Sequence, residues 1–175
     1  MKIYQLKVQD INPAMLDSFE RYQKTDRVLV NCNEGLFEKP DHFEDNWSIC
    51  QKREIVRHFS NVSANGGSVH LVEDSKEIIG FAVIESVEFG ESAVYRELSY
   101  FHIDQKHRGR GIGKELFQKV RKVAKELGAE KLYIGAHPSI ETQDFYMKRG
   151  CSLAEEINRE IYEREPRDWQ LEIKL

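Results

Sequence analysis

Asp104-Gln105-Lys106-His107-Arg108-Gly109-Arg110-Gly111-Ile112-Gly113, followed by Lys114, is the stretch that decides the fold. Upstream, residues from about Ala93 to Ile103 read as one long strand that runs directly into it. Downstream, Leu116, Phe117, Val120, Val123, Ala124 and Leu127 recur at helical spacing until Gly128 supplies a stop. The glycines therefore lie between a strand and the first turn of an amphipathic helix. Three alternating glycines let a backbone approach a bulky anion, while successive N–H groups and the helix dipole point toward it. Lys106, His107, Arg108, Arg110 and Lys114 add positive charge nearby. A pyrophosphate meets these requirements.

Two better-known glycine loops fail on spacing. A dinucleotide fingerprint counted from Gly109 needs a glycine where Lys114 stands. A Walker loop needs a glycine at the place of Arg108 and a Ser or Thr at the place of Glu115. Neither a Rossmann site nor nucleotide hydrolysis follows.

Working outward, the alternation in Lys2 to Val8 predicts a first strand, and Asn12-Pro13 begins a predicted helix to about residue 24. Residues 31–45, with Asn33, Gly35, Pro40 and five acids, read as a loop before a second helix from about 43 to 59. Asn65-Gly66-Gly67 then turns into a hairpin, Val69 to Val72 and Ile78 to Ile84. Beyond the central helix, Leu132, Ile134 and Ala136 alternate as a strand. Ser139 to Lys148 predicts a short helix ended by Gly150, and Trp169 to Leu175 a final strand. The order β-α-α-β-β-β-α-β-α-β-β predicts an α/β chain with a mixed sheet whose parallel part has a helical crossover.

The 175 residues, 40% apolar and 32% charged, fit one domain spanning 1–175 with a core of its own. A net charge of −4 argues against general attraction to nucleic acid or anionic membrane. Charges interrupt the first thirty residues, and no apolar run is long enough to span a bilayer, so the expectation is a soluble, cytoplasmic protein. Cys32, Cys50 and Cys151 are widely spaced with no Cys-x-x-Cys pair, which predicts reduced, partly buried thiols. His102, His107 and His137 form no metal-ligand spacing, so no metal is expected.

The run Arg108-Gly109-Arg110-Gly111-Ile112-Gly113 matches Gln/Arg-x-x-Gly-x-Gly/Ala, and here the chain resembles the GNAT superfamily of N-acetyltransferases. The likeness is strongest from about 95 to 151, ending on Phe145-Tyr146-Met147-Lys148-Arg149-Gly150. It implies a GNAT-like fold: a central, mostly antiparallel sheet with one splayed parallel pair and flanking helices. It also implies acetyl-CoA as cosubstrate, its pyrophosphate on the backbone of Arg108 to Gly113 with Lys114 following. The pantetheine arm would pair like an added strand with Phe101, His102 and Ile103. The splay needs a bulge, placed near Ser99 to Phe101. Free strand N–H groups there can also bind the oxyanion formed when an amine attacks the thioester.

The resemblance further points to Glu97 as general base, directly or through water, and Tyr146 as the acid that protonates the departing thiolate. Ser139 stands where relatives often carry an asparagine that contacts the cofactor. Tyr100 is a reserve candidate beside the bulge. An alkylammonium, with a pKa of about 10.4, must lose a proton before it attacks. The acceptor would be a primary amine of a small molecule or peptide. A protein-lysine or N-terminal acetyltransferase and a non-catalytic acyl-CoA binder are the alternatives. Glu34, Glu38, Asp41, Glu44 and Asp45 can attract a cationic amine, and the stretch Tyr162 to Trp169 can line the same opening or support a homodimer.

Overall fold

The computed structural model describes the backbone of residues 1–32 and 35–175; Asn33 and Glu34, part of the acidic stretch, lie outside the described residues, as do the side chains of Asn31 and Cys32. The chain runs through strands β1 (Lys2–Gln5), β2 (Gln23–Cys32) and β3 (Gly35–Asp45), helix α1 (Ile49–Ala64), then β4 (Ser68–Asp74), β5 (Glu77–Phe89) and β6 (Tyr95–Ile103). Helix α2 (Ile112–Glu126), β7 (Lys131–Ala136), α3 (Ile140–Met147), β8 (Ser152–Leu153), α4 (Arg159–Arg164) and β9 (Trp169–Lys174) complete it. Seven strands form one sheet in the order β1-β4-β5-β6-β7-β9-β8, and β2 pairs with β3 in a separate ribbon. Within the large sheet β6 and β7 are parallel and the other pairs antiparallel. The parallel pair cannot be joined by a hairpin and needs a crossover, which α2 provides.

The sheet is covered on both faces because β5 alternates two apolar sets. Ala82 and Ile84 join Leu116, Phe117, Val120 and Ala124 of α2, whereas Phe81 and Val83 join Ile55, Val56, Phe59 and Val62 of α1. Each of these side chains is nearly or fully excluded from water. At roughly 1.5–3 kcal/mol per buried large apolar side chain, the two layers supply the main driving force for the fold. Among the described residues, no helix is long and apolar enough to cross a membrane.

Four sequence expectations are corrected in the first third of the chain. The predicted helix from Pro13 to 24 is instead a run of turns closed by Met15 N to Asn12 O, Asp17 N to Ala14 O and Phe19 N to Leu16 O. Its apolar spacing is real, and it seats Leu16 and Phe19, at 0% and 1% exposure, in the core layer of α1 with Met15 partly buried beside them. The chain then becomes extended: Thr25, Val28 and Val30 are β-branched residues suited to a strand, and β2 pairs with the segment read as a loop. Pro40 is accommodated where the ribbon register shifts between Thr25 and Arg27. The second helix begins at Ile49 rather than 43, because Ser48 and Gln51 form a reciprocal capping box. Cys151 is buried as expected, but Cys50 is exposed near the start of α1.

Candidate functional site

The site originates in a fault in the sheet. On β6, Tyr100 faces Val83 and Leu98 faces the adjacent Ile84, so Ser99 is an extra, bulged residue, at the first of the three positions expected from sequence. On the other edge, β6 pairs with β7 only through Tyr95↔Lys131, Arg96↔Leu132 and Glu97↔Tyr133. Beyond Glu97 the strands diverge, while β7 remains paired with β9 as far as Ala136. The edge of β6 from Leu98 to Ile103 that faces β7 therefore has no strand partner among the described residues.

A cleft of about 850 Å³ opens along this edge. It is lined by Phe101, His102 and Ile103 of β6, by Arg108, Gly109, Gly111, Ile112, Gly113 and Lys114, and by Phe145, Tyr146 and Arg149. Asp104 braces the loop from beneath, accepting hydrogen bonds from Glu20 N at 2.8 Å, Lys106 N at 3.0 Å and His107 Nδ1 at 3.0 Å. Burial alone would raise its pKa, but these donors outweigh burial and hold the carboxyl below its ordinary value.

Gly111 caps α2 in the left-handed region at φ +82°, and Gly109 has φ +76°. The space beside both is open, so glycine is needed there for conformation rather than for room. At Gly113 the space is tight, since a Cβ would lie 3.1 Å from the Phe145 ring. The N–H groups of Gly109, Arg110, Gly111, Ile112 and Gly113 have no acceptor among the described residues. Five free donors at a helix N-terminus form an anion cradle.

A second cleft, of about 690 Å³, lies on the other side of the splay. Gln23, Phe101, His102, Thr142 and Tyr146 line both clefts, so the two meet there. Tyr146 is 5% exposed, and its hydroxyl makes no hydrogen bond among the described residues. Burial first, then Cys151 and Asp168, raise its pKa above the ordinary tyrosine value, so the phenol holds its proton at neutral pH. His102 is pushed well below its ordinary pKa by burial and by Arg21 and Arg108. Its ring lies 4.7 Å from Trp47, edge on, and it is neutral near pH 7.

The second cleft is polar and rich in carboxylates. Glu97 lines it with a side chain only 12% exposed, and Arg164 Nη2 reaches its two oxygens at 2.6 and 2.7 Å. Burial raises the Glu97 pKa, and Arg164 opposes the rise without cancelling it. Glu85 accepts from His58 Nε2 at 2.7 Å and from the Ser99 hydroxyl, and this contact raises the His58 pKa. Asp168 lines the cleft with no hydrogen bond or ion pair on its carboxylate among the described residues. Burial first, then Glu165 and Asp45, push its pKa to about 7 against the pull of Arg21. No group of three or more His, Cys, Asp or Glu able to hold a metal is present among the described residues.

The sequence profile of the acetyltransferase (GNAT) family matches residues 31–151. The chain belongs to the GNAT acetyltransferase family. It is accordingly an acetyltransferase that draws on acetyl-CoA. Comparison with curated protein sequences gave no match. Among solved structures, a Bacillus anthracis str. Ames protein assigned as a streptothricin acetyltransferase, in complex with acetyl coenzyme A, is similar at TM-score 0.71 and 16% identity, over 100% of this chain and 99% of that one. A nourseothricin acetyltransferase is similar at TM-score 0.68 and 14% identity, over 99% and 97%. PaiA N-acetyltransferase from Thermoplasma acidophilum, in complex with coenzyme A, follows at TM-score 0.59 and 13% identity, over 99% and 98%. At these identities the likeness is one of fold.

In this GNAT acetyltransferase the structure brings most of the sequence-predicted site residues together and leaves some apart. Phe101, His102, Ile103, Arg108, Gly109, Gly111, Ile112, Gly113, Lys114 and Tyr146 share the first cleft, and Glu97 lies in the second. The Arg110 side chain is exposed and lines neither cleft. Ser139 is fully buried and lines neither: it caps α3, accepts from Gln23 Nε2 at 3.0 Å and donates to Thr142 Oγ1 at 2.9 Å. Tyr100, the reserve candidate, faces the second cleft. Of the acidic stretch, Asp45 reaches that cleft, whereas Glu38 pairs with Arg27 at 2.6 Å. Sequence reasoning missed Arg21 and His58 as cleft residues, since each comes from a separate segment without a local motif, whereas Arg164, Glu165 and Asp168, from the stretch Tyr162 to Trp169 expected to line the opening, do line it.

Proposed function

We propose that residues 1–175 act as one catalytic domain that transfers acetyl from acetyl-CoA in the first cleft to a primary amine of a small molecule or peptide in the second. The observation that carries this reading is the meeting of the two clefts at the splay, on Phe101, His102 and Tyr146. The first cleft suits the donor: five free N–H groups and the cationic Arg108 and Lys114 match a pyrophosphate, and the unpaired edge of β6 offers backbone groups to an extended amide-bearing arm. Acetyl-CoA supplies an activated acyl carbon and a thiolate leaving group, so an amine can attack directly.

Tyr146 fits the acid role, because its phenol is protonated at neutral pH and free of competing partners. Glu97 fits a base only when Arg164 releases it, since both oxygens are held in the resting structure. The second cleft carries Asp45, Glu54, Glu97, Glu165 and Asp168 against Arg21 and Arg164, a balance that attracts a cationic amine.

The test is release of CoA thiol from acetyl-CoA across a panel of putrescine, lysine, an aminoglycoside and a peptide with free N-terminal and lysine amines, with the acetylated product identified by mass. Thiol released one-for-one with an N-acetylated small molecule or peptide is expected. Acetyl-CoA binding without thiol release from any amine would favour the non-catalytic reading.

A further inference from the structure

Two carboxylates flank the opening of the sheet, and the structure treats them oppositely. Glu97 belongs to the last paired rung of β6 and β7, and Arg164 occupies both of its oxygens. Asp168 approaches β7 just beyond that rung. A methyl group placed on Gly135 would lie 3.8 Å from Asp168 Oδ2, and Gly135 is two residues past Tyr133, the partner of Glu97. Residues two apart on a strand share a face and are about 7 Å apart. The Asp168 carboxylate thus stands on the same side of β7 as the Glu97 rung, where the strands have already parted.

Its surroundings leave it unneutralised. Asp45 of β3 faces it, already bonded to His137 Nε2 at 3.1 Å, and Glu165 approaches from the end of α4. Arg21, just ahead of β2, is the cation that acts on Asp168, but its guanidinium lies 5.5 Å from the Trp47 ring and its Nη1 donates to Gln23 Oε1 at 3.4 Å. Tyr146 of α3 lies within electrostatic range on the donor side. A largely buried carboxylate without donors is costly to ionise, and a cationic ligand is what relieves that cost.

We propose that Asp168, rather than Glu97, is the general base that takes the proton from the acceptor ammonium. This assignment rests on the acetyl-transfer reading and names the residue that would serve it. The ammonium gives one N–H proton to a carboxylate oxygen of Asp168, and the freed lone pair forms the C–N bond to the acetyl carbon. As the C–S bond breaks, the second nitrogen proton reaches the departing thiolate by way of the Tyr146 hydroxyl. The Asp168 proton then leaves to solvent, so the products are amide, CoA thiol and one proton. A carboxyl group poised near 7 can receive that proton and release it again at neutral pH.

The experiment compares wild type, Asp168→Asn and Glu97→Gln by kcat/KM from pH 5.5 to 9.5, using the fastest amine of the panel. A side-chain carboxyl 13C NMR titration of the full chain without substrates reads Asp168 independently. In wild type kcat/KM should rise to a break near pH 7, and the NMR signal absent from Asp168→Asn should titrate there. Asp168→Asn should lose about 100-fold at pH 7. Without the base, the variant depends on free amine, so its activity should climb about tenfold per pH unit toward the pKa of the amine used, about 10.4 for a lysine-type amine and about 8 for an N-terminal one. Glu97→Gln should keep the break near 7. An Asp168 that titrates in the ordinary carboxylate range, or a break that is lost in Glu97→Gln and kept in Asp168→Asn, overturns the proposal. Absence of thiol release from wild type with every amine contradicts the acetyl-transfer reading instead, and the NMR titration distinguishes that failure from this one.

Discussion

The two clefts that meet at Tyr146 are built from different materials. The first takes its chemistry chiefly from backbone, free N–H groups across Gly109 to Gly113 and the edge of β6 without a strand partner, with Arg108 and Lys114 adding charge. The second takes its chemistry from side chains on widely separated segments, among them Arg21, Asp45, His58, Glu97, Arg164 and Asp168. Backbone donors are set by conformation and do not change with side-chain identity. Side-chain chemistry depends on each residue separately. The first arrangement therefore suits a ligand that never varies, and the second suits a selective acceptor.

Tyr146→Phe probes the junction of the two clefts and has the largest expected effect. Removing a hydroxyl without hydrogen-bond partners should leave the fold and acetyl-CoA affinity intact while lowering kcat about 100-fold. Steady-state kinetics beside direct acetyl-CoA titration separates the two quantities. Unchanged kcat under chemistry-limited conditions would remove Tyr146 from proton transfer.

A smaller effect, confined to the side-chain cleft, concerns stability. The Asp168 pKa is raised from its ordinary value to about 7, so the folded chain binds a proton there that the unfolded chain has released. The stability this contributes is fully present below about pH 4 and is lost as pH rises toward and through 7. Asp168→Asn removes that dependence. Its Tm advantage over wild type should grow from near zero at pH 4 to about 10 °C at pH 8 in thermal melts. A constant difference across this range would show that Asp168 is not held protonated by the fold.

The smallest expected effect belongs to the backbone cleft. Arg110 lies inside the glycine motif but its side chain is exposed and lines neither cleft. Arg110→Ala should therefore change acetyl-CoA Kd by no more than about twofold at physiological salt, where exposed charges are screened. A tenfold loss would mean that side chains, not backbone, dominate the loop.

The same division explains what was legible in the sequence. The strand, glycine loop and helix from 93 to 127 are contiguous, and their signals of period, spacing and left-handed glycines are local. The bulge at Ser99 and the cluster of Phe101, His102, Ile103 and Tyr146 came with the resemblance built on that motif. The ribbon β2–β3 was misread because Leu16 and Phe19 imitate a helical face from within turns, and because Pro40 and the acids of β3 disguise an exposed strand. Ser139 aligned with a cofactor-contacting position yet is consumed as a helix cap. Asp168 lies in the stretch Tyr162 to Trp169 expected at the opening, but its particular environment was not legible, because beside burial and the nearby Glu165 it is shaped by Asp45 and Arg21, more than a hundred residues away.

Acetyl-CoA titration calorimetry on wild type, Gly111→Val and Asp168→Asn tests the division most directly. Valine at φ +82° costs about 1–3 kcal/mol of backbone strain or moves the loop out of its cradle. Acetyl-CoA Kd should therefore rise at least about tenfold in a folded Gly111→Val, in keeping with roughly 1.4 kcal/mol per tenfold, and stay near wild type in Asp168→Asn. Wild-type affinity in Gly111→Val, or an equal loss in Asp168→Asn, would contradict a donor cleft built from backbone and an acceptor cleft built from side chains.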